Sequence, residues 1–254
     1  MTDPTENWGE SVTEAFLWGL LGAWSLVLGG LVVRWHSPSD RILGLVMGFG
    51  SGVLLSAVSF ELIEEALSTA DGLGGVPIGF FAGAILFTIA DALLQRRSKQ
   101  SGDGATAEES ADGISIALGT VLDGVPESAV LGLSLLTSGQ IGASMLVAVF
   151  LSNLPEAVAA SSNLTSSGWG AARILRLWVG IALVCAVSSA LGFRLLDGAS
   201  PAAIAFTLAF AAGSVLAMLT TSMIPEAYEK AGPTVGLATT CGFALSLAID
   251  VLGS

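Results

Sequence analysis

Two Pro-Glu steps lie inside long apolar stretches of the sequence, each about one helical turn after another polar residue. Asp123 precedes Glu127 by four residues, and Asn153 precedes Glu156 by three. At these spacings both members of a pair lie on one face of an α-helix. A carboxylate at membrane depth costs at least ~3 kcal/mol and is rarely found there without a partner or a function. No lysine or arginine lies at a matching depth, so the pattern favours a cation from outside as the counter-charge.

Pro126 and Pro155 are expected to add carbonyl oxygens to this set. A proline inside a helix frees the carbonyl one turn earlier, here near Leu122 and Leu151. Such carbonyls are tolerated inside a membrane where they face a cavity or an ion. With Ser152 included, the two helices would offer an oxygen-rich site for a divalent cation. The alternative interpretation is that the acids are protonated and bonded to nearby hydroxyls, with the prolines serving packing alone.

The elements that would position these residues are membrane helices. The sequence is 53 % hydrophobic and only 12 % charged, whereas a soluble domain is about a quarter charged. Polar breaks divide it into apolar runs of the length that crosses a bilayer. The eight predicted spans are residues 11–33, 42–66, 74–95, 112–137, 141–164, 172–196, 201–224 and 233–253. We therefore predict an all-α integral membrane protein, one transmembrane domain over residues 1–254, with a cytoplasmic loop at 96–111.

The basic residues predict the orientation of these spans. With both termini outside the cytoplasm, eight of the nine lysines and arginines fall in inner loops, and only Arg194 faces out. Basic residues favour the cytoplasmic side of a membrane. We therefore expect a multi-pass protein of the cell (inner) membrane with extracytoplasmic N- and C-termini. The net charge of −12 argues against nucleic acid as a partner. The partners expected are the lipid bilayer, a metal ion and a second copy of the chain in a homodimer.

An internal repeat relates the first three spans to the last three. Shifting the sequence by 161 residues places Gly52 on Gly213 and Glu65 on Glu226. Because the second and seventh spans run in opposite directions in this topology, the pattern is typical of an inverted 3+2+3 repeat. In transporters such repeats place the substrate site near the membrane midplane. The central pair, spans four and five, also resemble each other, because the two Pro-Glu steps are 29 residues apart.

These features together resemble one family of membrane proteins. Residues 123–128 (Asp-Gly-Val-Pro-Glu-Ser) and 152–157 (Ser-Asn-Leu-Pro-Glu-Ala) are similar to the Pro-Glu motifs of the ZIP (Zrt/Irt-like) metal transporters, closest to the ZupT-like bacterial branch. The resemblance covers nearly the whole chain. It implies that Asp123, Glu127, Asn153 and Glu156 bind the metal, with Ser152 as a further ligand. The family's motif histidines are absent, since Asp123 and Ser152 stand in their places.

The resulting functional prediction is a permease that moves a divalent cation such as Zn²⁺, Mn²⁺ or Fe²⁺ into the cytoplasm. The ion is its substrate, and no organic cofactor or enzyme activity is expected. Zinc favours nitrogen and sulfur ligands, while carboxylate and amide oxygens suit Mn²⁺ or Fe²⁺, so the loss of imidazole shifts the expected preference towards harder ions. An intramembrane enzyme is disfavoured because the one histidine, His36, lies in a predicted loop. The main alternative is a degenerate relative that acts as a metal sensor or scaffold without transport.

Acidic residues at the ends of two spans are candidates for a cation pathway. Glu61, Glu64 and Glu65 end the second span on the predicted outer side, and Glu226 lies near the inner end of the seventh. One interpretation is that these are solvated helix ends. The other is that their negative potential gathers cations at an entrance and an exit. Glu61, one turn deeper than its neighbours, is the residue most expected to touch the path.

Overall fold

The computed structural model describes the backbone of residues 8–35, 38–70, 73–100, 105–138 and 143–253. Every regular element in this part of the chain is helical, and the helices follow one another with short connections. They are α1 (Trp8–Trp35), α2 (Asp40–Thr69), α3 (Val76–Gln100), α4 (Ala105–Ser138), α5 (Ala143–Ser166), α6 (Ala171–Leu196), α7 (Pro201–Ala231) and α8 (Thr234–Gly253).

Local signals explain where several of these helices begin and end. The Ser39 hydroxyl accepts a hydrogen bond from the Ile42 amide at 3.5 Å, and Ser200 accepts one from Ala203 at 3.3 Å. Side-chain caps of this kind satisfy amides that have no partner inside the first helical turn. α7 ends before Gly232, whose φ of 64° lies in the left-handed region that favours glycine. The short connections therefore follow from ordinary capping chemistry.

Among the residues that the structure describes, seven helices are long and apolar enough to cross a membrane. These segments are Ser11–Trp35, Asp40–Thr69, Val76–Arg96, Met145–Ser166, Ala171–Leu196, Pro201–Ala231 and Thr234–Leu252. The chain is thus an all-α, multi-pass membrane protein. The long helix outside this set is α4, which carries Asp123, Pro126 and Glu127. Their polarity lowers the mean hydropathy of α4.

The polar segment at residues 96–111, predicted as a loop, is largely helical. α3 continues to Gln100 and α4 begins at Ala105, while residues 101–104 lie outside the described part of the chain. The reason is local, because alanine and glutamate are strong helix formers and four of the first five residues of α4 are of these types. Both helices therefore continue past the apolar sequence on which the loop prediction was based.

A π-helical turn interrupts both α2 and α7. In α2, the α-helix Asp40–Ala57 is followed by the π turn Val58–Leu62 and the α-helical segment Ile63–Thr69. In α7, Pro201–Met218 is followed by the π turn Leu219–Met223 and by Ile224–Ala231. The two π turns are separated by 161 residues, the offset that relates the two halves of the sequence. Such single π turns are rare in proteins as a whole, and those that occur are often found at functional sites.

Close glycine contacts join α2 to α8 and α3 to α7, and contacts between α2 and α7 combine these four helices into one group. Four glycines in this group lie so close to a backbone carbonyl of a neighbouring helix that a Cβ would overlap it. The contacts are Gly52 with Thr239, Gly242 with Phe49, Gly213 with Phe80 and Gly83 with Phe210. Small residues at such positions allow membrane helices to approach closely. α2 thereby packs on α8, and α3 packs on α7.

A second group contains α1, α4, α5 and α6. Gly132 of α4 lies against the Ser189 carbonyl of α6, and a Cβ on Gly29 of α1 would meet that of Ala157 of α5 at 2.6 Å. Buried hydrogen bonds strengthen the group, since the Trp178 indole N–H donates to the Ser161 hydroxyl at 2.8 Å. The candidate site lies where α4 and α5 of this group face α2 and α7 of the first.

Candidate metal centre

A cavity of about 220 Å³ lies between α2, α4, α5 and α7. Its walls combine carboxylates, hydroxyls, an amide and thioethers. The lining residues are Met47, Gly119, Thr120, Asp123, Glu127, Ser152, Glu156, Ala159, Ala160, Asn163, Met218, Ser222, Met223 and Glu226. No lysine or arginine is among them, so no basic side chain of the lining is paired with these acids.

Three carboxylates from two helices form the negative wall. Asp123 and Glu127 come from α4 and Glu156 from α5. Both α4 carboxylates lie close enough to Glu156 for their negative charges to repel one another. The Thr120 hydroxyl donates a hydrogen bond to Glu156 Oε1 at 2.9 Å, which fixes one oxygen of that carboxylate. A cation placed in the cavity would relieve this repulsion.

Glu127 is the most deeply buried of these acids. The residue is 1 % exposed, and its Oε2 atom has no hydrogen-bond partner among the described residues. A buried oxygen without a partner is costly, and a buried charge is normally paired or bound to a metal. The orphaned oxygen of Glu127 is therefore an atom whose chemistry fits a cation ligand.

Ser152 and Asn153 differ in their relation to the cavity. Ser152 lines it, and its hydroxyl donates to the Val149 carbonyl at 3.0 Å, which leaves the oxygen lone pairs available. Asn153 is only 2 % exposed but is absent from the lining, and its Nδ2 finds no partner in the part of the chain that the structure describes. The reason is helical geometry, since successive residues are ~100° apart. Ser152 and Glu156 therefore share a face more closely than Asn153 and Glu156 do.

The opposite wall contains methionines that the sequence reasoning missed. Met47 comes from α2, and Met218 and Met223 come from α7. Thioether sulfur is a soft ligand that suits softer metal ions better than hard ones. Ser222, next to Met223, lies in the π turn of α7 and also lines the cavity. The rarity of methionine was the available signal, because three of the five methionines in the chain line this one cavity.

The cavity extends towards one end of the helix bundle. From Glu127 it passes Glu156 and reaches Asn163 and Glu226, which lie near the C-terminal ends of α5 and α7. This end also carries a set of basic residues, and we call it the basic end, defined by Arg34, Arg41, Arg173, Arg176 and Lys230. Lys230 lies 3.6 Å from the Glu226 carboxylate, which places one cation beside the mouth of the cavity.

Buried apolar residues lie on the other side of the carboxylates. Val130 lies three residues after Glu127, and Val149 lies three residues before Ser152. Both valines are buried in the apolar core. Leu54 and Val58 of α2 belong to the same buried cluster. The cavity therefore reaches only one end of the bundle.

The candidate pathway acids are divided by the structure. Glu226 lines the cavity, whereas Glu61, Glu64 and Glu65 do not. Glu61 lies within the π turn of α2 and is half-buried, Glu64 is exposed and Glu65 is half-buried. All three belong to the half of α2 that is remote from the basic end. The structure thus brings Glu226 to the site and leaves the other three apart from it.

The two prolines do not break their helices. α4 continues through Pro126 and α5 through Pro155. The Leu151 carbonyl, one turn before Pro155, faces Gly50 of α2 so closely that a Cβ there would lie 2.9 Å from the oxygen. This carbonyl is therefore packed against another helix and does not point into the cavity as a further ligand. Gly50 provides the space at this junction between the two helix groups.

The carboxylates do not converge into a compact cluster. Across the side chains that the structure describes, no group of three or more histidine, cysteine, aspartate or glutamate residues is arranged to hold a metal ion. An ion in the arrangement observed would contact at most two carboxylates. Hydroxyl, thioether or water ligands would complete its coordination.

Comparison with known proteins finds similarity to proteins whose names describe zinc transporters. The chain is 27 % identical over 249 residues to "Putative zinc transporter At3g08650" of Arabidopsis thaliana, covering 95 % of this chain and 39 % of the relative. It is 25 % identical over 247 residues to "Zinc transporter YKE4" of Saccharomyces cerevisiae, covering 87 % and 71 % of the two chains. Protein zntB of Dictyostelium discoideum is 28 % identical over 99 residues, 39 % of this chain and 26 % of the relative. No protein-family model matches the chain. The chain thus spans less than half the length of its Arabidopsis relative.

Proposed function

We propose that this protein is a divalent-cation permease related to the ZIP transporters, in their ZupT-like branch. The observation that carries the proposal is the cavity in which Asp123, Glu127 and Glu156 meet without a lysine or arginine in its lining. Ionisable residues inside a membrane protein mark ion pathways more often than packing. Two relatives that align with most of this chain bear names of zinc transporters. The cargo is Zn²⁺, Mn²⁺ or Fe²⁺, and the protein transports it without catalysing a reaction.

The ion binds between α4 and α5. Because at most two carboxylates can reach one ion in the observed arrangement, we assign Glu156 and either Asp123 or Glu127 as its charged ligands. Ser152 and Thr120 supply neutral oxygens nearby, and water fills the remaining positions. Met218 and Met47 face this oxygen set from the opposite wall. The mixed donors leave room for zinc as well as for harder ions.

The transport path follows an inverted repeat of eight spans in the order 3+2+3. The π turns at matching positions of α2 and α7 and the reciprocal glycine contacts between α2 and α8 and between α3 and α7 support this arrangement. The offset of 161 residues pairs Glu65 with Glu226 and Glu61 with Ser222. Since Glu226 and Ser222 line the cavity at the basic end, Glu65 and Glu61 would line its counterpart at the other end. The group of α1, α4, α5 and α6 would move against the other group to alternate the access.

The basic end of the helix bundle also supports an orientation of the protein in the membrane. Basic residues favour the cytoplasm, so we propose that the basic end is cytoplasmic and that the cavity is the exit of an uptake path. Both termini of the sequence are then extracytoplasmic, in the cell (inner) membrane, and residues 1–254 act as one transport domain.

The decisive experiment is metal uptake into proteoliposomes loaded with a fluorescent chelator. Glu156→Gln removes a negative ligand while it keeps the size of the side chain, and Asp250→Asn makes the same change on α8, outside the cavity. We expect uptake to fall about tenfold or more in Glu156→Gln, because one charged ligand contributes ~1.5–3 kcal/mol. Asp250→Asn should transport as the wild type does.

One observation favours the alternative of a sensor or scaffold without transport. Within the described side chains, no three acidic, histidine or cysteine groups converge, and a site that only senses metal can tolerate such loose geometry. Wild-type protein that binds metal but gives no flux of Zn²⁺, Mn²⁺ or Fe²⁺ would replace the permease with this alternative. Equal uptake by Glu156→Gln and wild type would instead remove the site assignment.

A further inference from the structure

A second depression, separate from the ion cavity, lies on the surface between α2 and α8. Its volume is about 460 Å³. Its lining residues are Arg41, Leu45, Val46, Phe49, Thr234, Leu237, Ala238 and Cys241, and we call it the α2–α8 groove. None of them lines the ion cavity, which α2 reaches through Met47 on another face. The groove therefore faces the surroundings of the bundle.

A cationic mouth distinguishes this groove from an ordinary apolar surface. Arg41, in the first turn of α2, is exposed and makes no ion pair or hydrogen bond with the described residues. Thr234, in the first turn of α8, lines the same mouth. Two other charged groups lie nearby. Lys230 is paired with Glu226, and Asp40, which precedes Arg41 in the sequence, does not line the groove. The mouth thus offers a guanidinium that is not paired with any described residue.

Below the mouth the groove is apolar and long. Leu45 and Phe49 line it on α2, and Leu237 and Cys241 line it on α8. Eight residues of α-helix separate Arg41 from Phe49, a distance of about 12 Å along the axis. Because Arg41 lies at the basic end of a membrane protein, the mouth is at the level of lipid head groups and the apolar part is at the level of acyl chains.

We propose that the α2–α8 groove is a binding site for an anionic phospholipid. The lipid phosphate contacts the Arg41 guanidinium, and one acyl chain lies along Leu45, Phe49 and Leu237. Arginine matches phosphate oxygens with two parallel hydrogen bonds, and basic residues near a membrane surface attract anionic lipid. A free phosphate would use the mouth alone, and a lipid with a cationic head group would bring a positive charge near Arg41.

Cys241 provides a direct probe of occupancy. It is exposed in the apolar part of the groove, whereas Cys185 is buried. The rate at which a maleimide labels the detergent-solubilised full chain therefore reports access to the groove. Short-chain phosphatidylglycerol and short-chain phosphatidylcholine, which share acyl chains and differ in charge, are titrated separately. We expect phosphatidylglycerol to protect Cys241 at an about fivefold lower concentration, since one basic residue near anionic lipid has an effect of this order.

Two arginine variants separate this site from general surface charge. Arg41→Gln should remove the difference between the two lipids. Arg176→Gln removes an equally exposed charge at the basic end, outside the groove, and should preserve the difference. Equal protection by both lipids in the wild type, an unchanged difference in Arg41→Gln, or protection by inorganic phosphate alone would each overturn the proposal.

A third variant tests the apolar half of the site. Ala238→Trp fills the groove, and it should slow labelling of Cys241 without added lipid and abolish the response to phosphatidylglycerol. A full lipid response in this variant would contradict the proposed path of the acyl chain. Thermal unfolding checks that each variant is folded. Since none of these residues lines the ion cavity, the results are independent of whether the permease proposal holds.

Discussion

At the residue scale, the candidate site combines hard and soft donors that come from different helices. Asp123, Glu127 and Glu156 supply negative oxygens, and Met47 and Met218 supply sulfur from the opposite wall. Like charges in a low-dielectric interior repel strongly, which makes the carboxylate wall a poor structural element and a good cation attractor. Whether a residue can contact an ion in the cavity depends on whether its side chain faces the cavity.

The contrast between Asp123 and Asn153 gives the first prediction. Asp123 lines the cavity and Asn153 does not. If Asp123 is the charged partner of Glu156, Asp123→Asn should weaken Mn²⁺ or Zn²⁺ binding about tenfold through loss of one charge, whereas unchanged affinity would assign that role to Glu127. Asn153→Ser should change the affinity less than about twofold, within the error expected of a residue outside the coordination sphere. Isothermal titration of purified protein measures both. An equal loss in Asn153→Ser would mean that this amide reaches the ion.

The methionines should affect which ion is preferred. Met218→Leu keeps volume and apolarity but removes a soft sulfur, and we expect the affinity for Cd²⁺ relative to Mn²⁺ to fall several-fold. Met145→Leu makes the same change in the buried core, outside the cavity, and should leave the ratio unchanged. Competition binding with the two ions tests this. A ratio that is identical in all three proteins would remove the thioethers from the site.

At the element scale, glycines determine how closely the helices pack. The contacts of Gly52 and Gly213 with carbonyls of α8 and α3 leave no room for a Cβ. Each contact is a carbonyl against a backbone Cα, which is a recurring weak interaction at helix–helix interfaces. The π turns in α2 and α7 add one residue to a turn and change the face that the rest of each helix presents.

A pair of glycine substitutions tests this packing. Gly52→Ala forces α2 and α8 apart, and overpacking of this kind typically costs ~1–3 kcal/mol, so we expect a clear fall in the midpoint of thermal unfolding. Gly236→Ala lies on α8 with no atom within 4 Å of its added Cβ, and it should be neutral or slightly stabilising because alanine favours the helix. Equal midpoints for the two variants would show that the close contact is not needed.

Much of the helical framework was accessible from the sequence, because bilayer thickness imposes long apolar runs on it. Each of the seven apolar helices in the described part of the chain overlaps one predicted span, and most ends agree within a few residues, although α7 continues to Ala231 past its predicted end at residue 224. The extension of α3 to Gln100 and the start of α4 at Ala105 were missed, because helices outside lipid depend on propensity and not on hydropathy. The π turns were also missed, since a single extra residue in a turn leaves no periodic trace.

The site was accessible only in part, for a geometric reason. Spacing along one helix relates Asp123 to Glu127, but it carries no information about the helix opposite. Met47, Met218 and Ser222 are therefore visible only after α2 and α7 pack on α4 and α5. The same limit explains Asn153, because a three-residue spacing is compatible with a shared face without requiring it.

At the scale of the whole molecule, the cavity connects the buried carboxylates to the basic end alone. Asn163 and Glu226 mark its mouth, and buried residues such as Val130 and Leu54 lie beyond the acids. A transporter must exchange this arrangement with one that opens at the other end. In the proposed permease, this state would release the ion towards the basic end.

Site-directed labelling can measure this asymmetry. In a Cys241→Ser background, Ser222→Cys in the cavity should react with a membrane-impermeant thiol reagent added at the basic end, and metal should slow the reaction several-fold by occupying the cavity. Thr220→Cys, an exposed position in the same π turn but outside the lining, should show no metal protection. Labelling of Ser222→Cys from the opposite end alone would reverse the proposed orientation of the cavity.

The polar composition of α4 has a consequence for how the protein is made. Asp123 and Glu127 each add about 2.5–3.5 kcal/mol to the free energy of inserting a helix into the bilayer at its centre, and α4 is the long helix that lacks the hydropathy of the other seven. During synthesis such a segment gains little from entering lipid by itself. We expect its stable insertion to need α6, because Gly124 and Gly132 of α4 pack directly against Cys185 and Ser189 of that helix. The acids proposed to bind the ion are therefore expected to delay the stable insertion of α4 until the C-terminal half of the chain has been synthesised.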